Sequence, residues 1–354
     1  MQKFSWSTIR RIADKQAEEI AHRALMLERI QATEPIGRRS LAEALGLPER
    51  EVRKAADALK AEGLIVLTAS GMQLTTAGRA LMPDVLAMCQ LFSGLQQVED
   101  QLRLQLNLPE VMIVAGDTDE APHVLRALGQ AVAGVVGRKV RDGMILAVSG
   151  GNTMVAAARA MSPMGQGLTV VPARGGFGSL AETQADAVAS EMARQMNAAC
   201  RLMHLPEGMD EETLAKAAKL PGVAETLQMM RNADMIIFGV GRADETAEKR
   251  GLGDAQKKHL TQRHAVGETL GDFISLDGQV VYRSGTLSKD LMADKPDATL
   301  IMAAGGSRKA QAIIAAVRSH PPHVLVIDEG AARAMLRDLK ENTGSLKIQE
   351  AEHA

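Results

Sequence analysis

Hydrophobic positions follow one rhythm before residue 109 and another after it. The first rhythm is helical. After an expected helix over about 7–32, the stretch SLAEALGLPEREVRKAADALKAEGLIVLTASGMQLTTAG predicts two helices joined by a tight turn at Gly46-Leu47-Pro48. In the second helix Val52, Ala55, Ala56 and Leu59 fall at i, i+3, i+4 and i+7, which makes one apolar stripe. Arg50, Arg53, Lys54 and Asp57 fall at the same spacing on the other side. Pro48 stands where a Ser or Thr cap is usual and pre-sets the first helical turn. GLIVL and MQL around Ser70-Gly71 then predict a short hairpin, with Thr75 capping the helix that follows. Helix, turn, helix and hairpin describe a winged helix-turn-helix over 1–82. Its second helix would be the major-groove reader, presenting Arg50, Arg53 and Lys54 to phosphates or base edges, and Arg38 and Arg39 add phosphate contacts.

Residues 83–108 predict a connecting helix in which Leu91, Leu95, Val98, Leu102 and Leu106 lie close to a heptad rhythm. Such a stripe either packs on the next domain or pairs with a second chain. Pro109 ends it. Over 109–354 the pattern becomes short apolar runs separated by helical segments: VMIVA, MILAVS, LTVVPA, CRLMHL, MIIFGV, TLIMAA and VLVID. Runs apolar along their whole length describe parallel strands covered on both faces, and so a doubly wound α/β domain. Ligands of such sheets bind beyond the carboxyl ends of the strands.

Composition changes this picture in three places. Twenty Met against one Trp, one Tyr and five Phe mean that aliphatic and thioether side chains fill the interior, which argues against a base-stacking surface. Cys89 and Cys200 are isolated, so neither a zinc cluster nor a disulfide framework is expected. With no signal-peptide pattern and no apolar run long enough to span a bilayer, the expected setting is the cytoplasm, with no membrane partner. The net charge of −2 conceals an asymmetry: residues 1–82 carry 13 Lys and Arg against 10 Asp and Glu, whereas 83–354 carry 28 against 33. A mildly basic head on an acidic body suits a head that meets nucleic acid.

The loops at the strand ends are SGGNT, PARGGFGSL, GVGRADETAEKRG and AAGGSRKAQA, all rich in Gly, Arg or Lys. Gly150, Gly151, Asn152 and Thr153 lie where a strand stops and a helix starts, which gathers N–H groups and the positive end of a helix dipole. Arg174 offers a forked guanidinium and Lys309 a compact ammonium. The constellation suits phosphate oxygens, although neither GxxxxGK[ST] nor GxGxxG is present. Arg250, in AEKRG, is a weaker member. His320 and His323 flank Pro321-Pro322 and read as turn residues, and no metal is expected.

A predicted winged head followed by SGGNTM, VPARGGFG, GVGRADE, AVGETLGDF, AAGGSRKAQAI and LVIDEGAA resembles the SorC/DeoR-type sugar-responsive repressors over nearly the whole chain. The resemblance implies a homodimer or homotetramer that binds operator DNA and is released by a phosphorylated sugar, fructose 1,6-bisphosphate in the glycolytic branch. It also implies roles for residues: Gly150, Gly151, Asn152 and Thr153 in the phosphate loop, Arg174 and Gly175 in a second phosphate contact, and Lys309 in the last loop. Glu268 would accept sugar hydroxyls, with Arg250 nearby. Where consecutive threonines are expected, this chain has Asn152 and Thr153. The sensor fold resembles sugar-phosphate isomerases and deaminases as well, so an enzyme is the alternative. Those deaminases carry a GxDGH-type stretch after the strand matching MIIFGV, and the stretch here, GVGRADETAEKRG, has no histidine. Chemistry on a sugar carbonyl needs a placed acid and base. The expected role is therefore binding without catalysis.

Overall fold

A computed structural model describes residues 12–92, 94–176, 181–203, 205, 209, 211–284 and 297–352, and the chain divides into two compact units, 1–97 and 98–354. The first unit comprises α1 (Asp14–Thr33), α2 (Arg38–Leu45), α3 (Glu49–Ala61), the antiparallel hairpin β1 (Ile65–Thr68) and β2 (Gly71–Leu74), and α4 (Thr76–Phe92). The tight turn forms because Gly46 adopts a left-handed φ of 63° and ends α2, its N–H returning to the carbonyls of Ala42 and Glu43. The apolar stripe of α3 is buried as its period demands: Val52, Ala55, Ala56 and Leu59 pack with Met26, Ile30, Leu41 and Met72 in one core. Glu34 fastens the hairpin to that core by accepting the Leu74 N–H at 2.6 Å and pairing with Arg79 at 2.5 Å.

In place of one helix over 83–108 the chain forms two, α4 and α5 (Leu95–Gln105), separated around Gly94 with a φ of 69°. Met82, Val85 and Cys89 of α4 belong to the core of the first unit, so that unit runs past residue 82. Leu95, Val98 and Leu102 are buried, which uses up the inner part of the expected heptad stripe inside this chain.

In the second unit six of the seven apolar runs become strands of one parallel sheet, while CRLMHL contributes only Cys200 to a two-residue seventh: β3 (Glu110–Val114), β4 (Ile145–Val148), β5 (Thr169–Pro172), β6 (Ala199–Cys200), β7 (Met235–Gly239), β12 (Thr299–Ala304) and β13 (Val324–Asp328). Their order is β3-β13-β12-β7-β4-β5-β6. Helices α6 (Val124–Lys139), α7 (Asn152–Ala160), α8 (Ala185–Met196), α9 (Glu211–Ala217), α10 (Pro221–Arg231), α11 (Ala243–Lys249), α12 (Asp254–Gln262), α13 (Ala310–Ser319) and α14 (Glu329–Glu352) complete the unit. Every residue of β13 and the first four of β7 are buried, the reason these runs carry no polar alternation. From β4 the chain winds outward through β5 and β6, then returns to β7 on the other side and continues through β12. The crevice between the ends of β4 and β7 is therefore the topological switch point.

A second sheet, four-stranded and antiparallel, is absent from the sequence-based expectation: β8 (Gly241–Arg242), β9 (Ala265–Thr269), β10 (Asp272–Ser275) and β11 (Val280–Arg283), in the order β11-β10-β9-β8. Leu270 and Gly271, at φ 49° and 96°, form the two-residue turn between β9 and β10. This sheet carries Glu268. No helix among the described residues is long and apolar enough to cross a membrane.

Candidate functional site

At the switch point lies a cavity of about 360 Å³, lined by residues of all the expected loops and of the segment after β3. Gly150, Gly151, Asn152, Thr153, Arg174, Glu268 and Lys309 all line it. The two glycines are needed for different reasons. A Cβ on Gly150 would stand 2.4 Å from the Thr183 carbonyl oxygen, so only glycine fits. Gly151 has open space around it but a φ of 109°, which side chains avoid. Its N–H donates to the Thr183 oxygen at 2.9 Å and is engaged. The N–H groups left for a ligand are those of Asn152, Thr153 and Met154 in the first turn of α7, which among the described residues have no acceptor. Ser149 ties the end of β4 to that of β7 by accepting the Gly239 N–H at 3.1 Å.

On one wall the charged groups form a buried network. Glu268 Oε1 accepts from Arg250 Nη2 at 2.6 Å and from the Gly271 N–H at 2.7 Å, and Arg174 Nη1 lies 3.6 Å away. The side chains of Arg174, Glu268 and Arg250 are 7%, 7% and 3% exposed, so each charge depends on the others for solvation. Arg250 also reaches Ser284 Oγ and stands over the Phe273 ring at 5.9 Å. Arg250 thus sits behind Glu268 and does not line the cavity; Gly175 is buried and does not line it either. Two guanidiniums around one carboxylate leave the wall with a surplus positive charge, carried to the cavity by Arg174.

The opposite wall is built on acids. Asp328, fully buried, accepts the N–H groups of Thr118 and Gly306 at 2.8 Å each and that of Ala331 at 2.9 Å, which locks the loop after β3 to the loop after β12. Gly305 and Gly306 leave room for this: a Cβ on either would meet Asp328 or Asp119 at 2.7 Å. Asp119 accepts the Arg308 N–H at 3.0 Å and its guanidinium at 3.1 Å. Burial pushes the Asp119 carboxyl up, but Arg308, helped by Lys309, outweighs it and holds the group below the usual carboxylate range. The Lys309 ammonium is shifted the other way: burial, then the positive charge of Lys249, lowers it below the ordinary lysine value.

Sequence reasoning missed Lys249, Thr118, Asp119, Glu245 and Arg308, all of which line the cavity. The helical period held a signal for the first. Glu245 and Lys249 are four residues apart on the cavity face of α11, 3.9 Å from each other, and Arg250 falls about 100° further round. His320 and His323 stay clear of the cavity, and no cluster of metal-ligating residues exists among the described residues. Positions 177–180 of the PARGGFGSL loop, His204 of CRLMHL and residues 1–11 of the first expected helix lie outside the described residues.

In the first unit Arg38, Arg39, Arg50, Arg53 and Lys54 are all exposed. Arg39 stands 3.6 Å from Glu43, Arg53 3.7 Å from Glu49, and Lys54 3.6 Å from Glu19. Pro48 precedes α3 with a φ of −59°, and the buried α3 stripe turns Arg50, Arg53 and Lys54 outward, whereas Arg38 and Arg39 start α2.

Comparison with known proteins fits both units. A family model described as a sugar-binding domain, Sugar-bind, matches residues 90–337, and one described as the CggR N-terminal DNA binding domain matches 20–88. The central glycolytic genes regulator of Bacillus subtilis is 35% identical over 317 residues, 88% of this chain and 93% of that protein. The regulator of the same name from Priestia megaterium is 35% identical over 316 residues, 88% of this chain and 92% of its own. Among solved structures, a SorC family transcriptional regulator from Enterococcus faecalis is 29% identical with a TM-score of 0.64, covering 68% of this chain and 99% of that one. The full-length sorbitol operon regulator from Klebsiella pneumoniae, 18% identical with a TM-score of 0.62, covers 88% of this chain and 98% of its own and shares the fold.

Proposed function

This chain belongs to the Sugar-bind family of DNA-binding transcriptional regulators, and from that premise we propose a repressor of glycolytic genes that a sugar bisphosphate releases from its operator. Fructose 1,6-bisphosphate is the effector in this reading. The observation that carries it is the placement of the α7 N-terminus, with three N–H groups open, between Arg174 on one wall and Lys249, Arg308 and Lys309 on the other. One phosphate needs N–H groups and a cation; two phosphates need cations on two walls. The cavity volume is within the range of small-molecule sites.

The same geometry disfavours the isomerase or deaminase alternative. Glu268 is occupied by Arg250 and the Gly271 N–H, and Arg308 holds the Asp119 carboxyl below the usual carboxylate range, away from the value a general acid or base needs near neutrality. Asn152 replaces a hydroxyl with an amide at the helix start, and both can meet a phosphate or sugar oxygen. The first unit acts as a winged helix-turn-helix: α3 enters the major groove and presents Arg50, Arg53 and Lys54 to phosphates or base edges, Arg38 and Arg39 engage the backbone, and a homodimer or homotetramer in the cytoplasm joins half-sites.

Titration of the full-length protein with fructose 1,6-bisphosphate, its monophosphates and inorganic phosphate, read by melting temperature and by release from promoter DNA, tests this. The bisphosphate should raise the melting temperature and release the DNA at the lowest concentration. An unchanged melting temperature with every compound at millimolar concentration would remove the cavity as an effector site.

A further inference from the structure

The outward face of α3 carries a carboxylate among its cations. Arg50, Lys54 and Asp57 fall at i, i+4 and i+7 and form one row opposite the buried Val52, Ala55, Ala56 and Leu59, with Arg53 beside it. All four polar residues are exposed. They differ in what they already hold. Arg53 is held by Glu49 at 3.7 Å and Lys54 by Glu19 at 3.6 Å, whereas among the described residues Arg50 and Asp57 form no ion pair. Asp57 has Arg53 four residues before it and Lys60 three residues after it, both within reach along a helix, yet it remains unpaired.

A carboxylate facing a polyphosphate surface is repelled unless it gains a donor there. In the major groove the base edge that offers only a donor is cytosine N4, and carboxylate side chains accept from it, while a guanidinium is matched to guanine O6 and N7. We propose that Asp57 is a specificity-determining residue that selects a cytosine, and that Arg50 on the same row selects a guanine. Seven residues of helix rise about 10.5 Å at 1.5 Å each. With base pairs about 3.4 Å apart, the two selected positions lie about three steps from each other. Arg53 and Lys54, released from Glu49 and Glu19, serve the phosphates between them. The inference rests on α3 being the groove helix, as in the proposed function.

The test selects duplexes from a randomised pool with the full-length protein, then measures affinity for all four bases at each selected position. Wild type should prefer cytosine at one position by about ten- to a hundredfold. Asp57→Ala should erase the preference at that position alone, and Asp57→Asn should move it to adenine, whose N6 and N7 an amide matches. Tighter binding of Asp57→Ala to all four bases alike would mean that the carboxylate only repels phosphates, and would overturn the inference while leaving the DNA-binding reading in place. A wild-type protein that selects no sequence at all would overturn both.

Discussion

The proposed function gives the two units the same chemistry, cations for phosphates, in opposite physical states. In the first unit the cations are exposed, and three of them, Arg39, Arg53 and Lys54, are held by carboxylates at 3.6 to 3.7 Å. Such pairs are worth about 0–1 kcal/mol and give way when a denser anion arrives. In the second unit Arg174, Glu268 and Arg250 are buried, and breaking their geometry strands a charge out of water. A long polyanion that is sampled at many registers is met by mobile charges. A small ligand bound in one pose is met by charges fixed in advance, because ordering them at the moment of binding would cost affinity.

The sharpest way to break this contrast is Arg250→Met. Removing the guanidinium leaves the buried Glu268 with Arg174 at 3.6 Å and one backbone N–H, and the second unit should lose about 3 kcal/mol of stability. Denaturant unfolding measures it; a change near zero would show that the network is better solvated than its burial implies. Lys309→Ala separates binding from folding. Burial disfavours the Lys309 ammonium, so removing it should leave stability unchanged or slightly higher while affinity for fructose 1,6-bisphosphate falls by about 1.5–3 kcal/mol, ten- to a hundredfold, in calorimetric titration. Operator binding without sugar should match wild type.

The next effect is a pH dependence with two signs. Lys309 titrates below its unfolded value, so the unfolded chain binds the extra proton first and the free protein gains stability as pH rises through the depressed value. A bound phosphate favours the ammonium, so ligand affinity should fall over the same alkaline range and the complex should take up protons. Calorimetry in buffers of different ionisation enthalpy detects that uptake, and Lys309→Ala should abolish it. The smallest effect is expected in the first unit. Arg53→Ala should change its stability by less than about 1 kcal/mol, yet lower the salt dependence of DNA binding by about one charge. Should its melting temperature fall as far as that of Arg250→Met, the distinction between the units would fail.

Much of this was legible in residue order, and the failures have local causes. Six of the parallel strands were visible because strands covered on both faces must be apolar throughout; CRLMHL misled, since the edge strand there is only Ala199–Cys200 and is not buried. The antiparallel sheet was not, because its strands are two to five residues long and interleave Asp272, Tyr282 and Arg283 with apolar positions. One helix over 83–108 was expected from the leucine spacing, but Gly94 in a left-handed conformation outweighs that rhythm. Lys249 was passed over for Arg250 since adjacent cations in a loop are indistinguishable until a helix assigns them to different faces.

Residue order alone set the apolar period of the α3 helix and of the long parallel strands, the glycines that end strands, and the unequal charge of the two ends, since each depends on residues close in the chain. Tertiary structure decided which charges meet. Glu268 reaches Arg250 across 18 positions of chain and Arg174 across 94, and Asp328 joins loops at Thr118 and Gly306 that lie far apart in the chain, the second of them leading to Lys309. A carboxylate in the sequence is only a charge. Whether it becomes a ligand acceptor or the internal counter-ion that fixes a ligand's cation depends on the burial and partners the fold supplies.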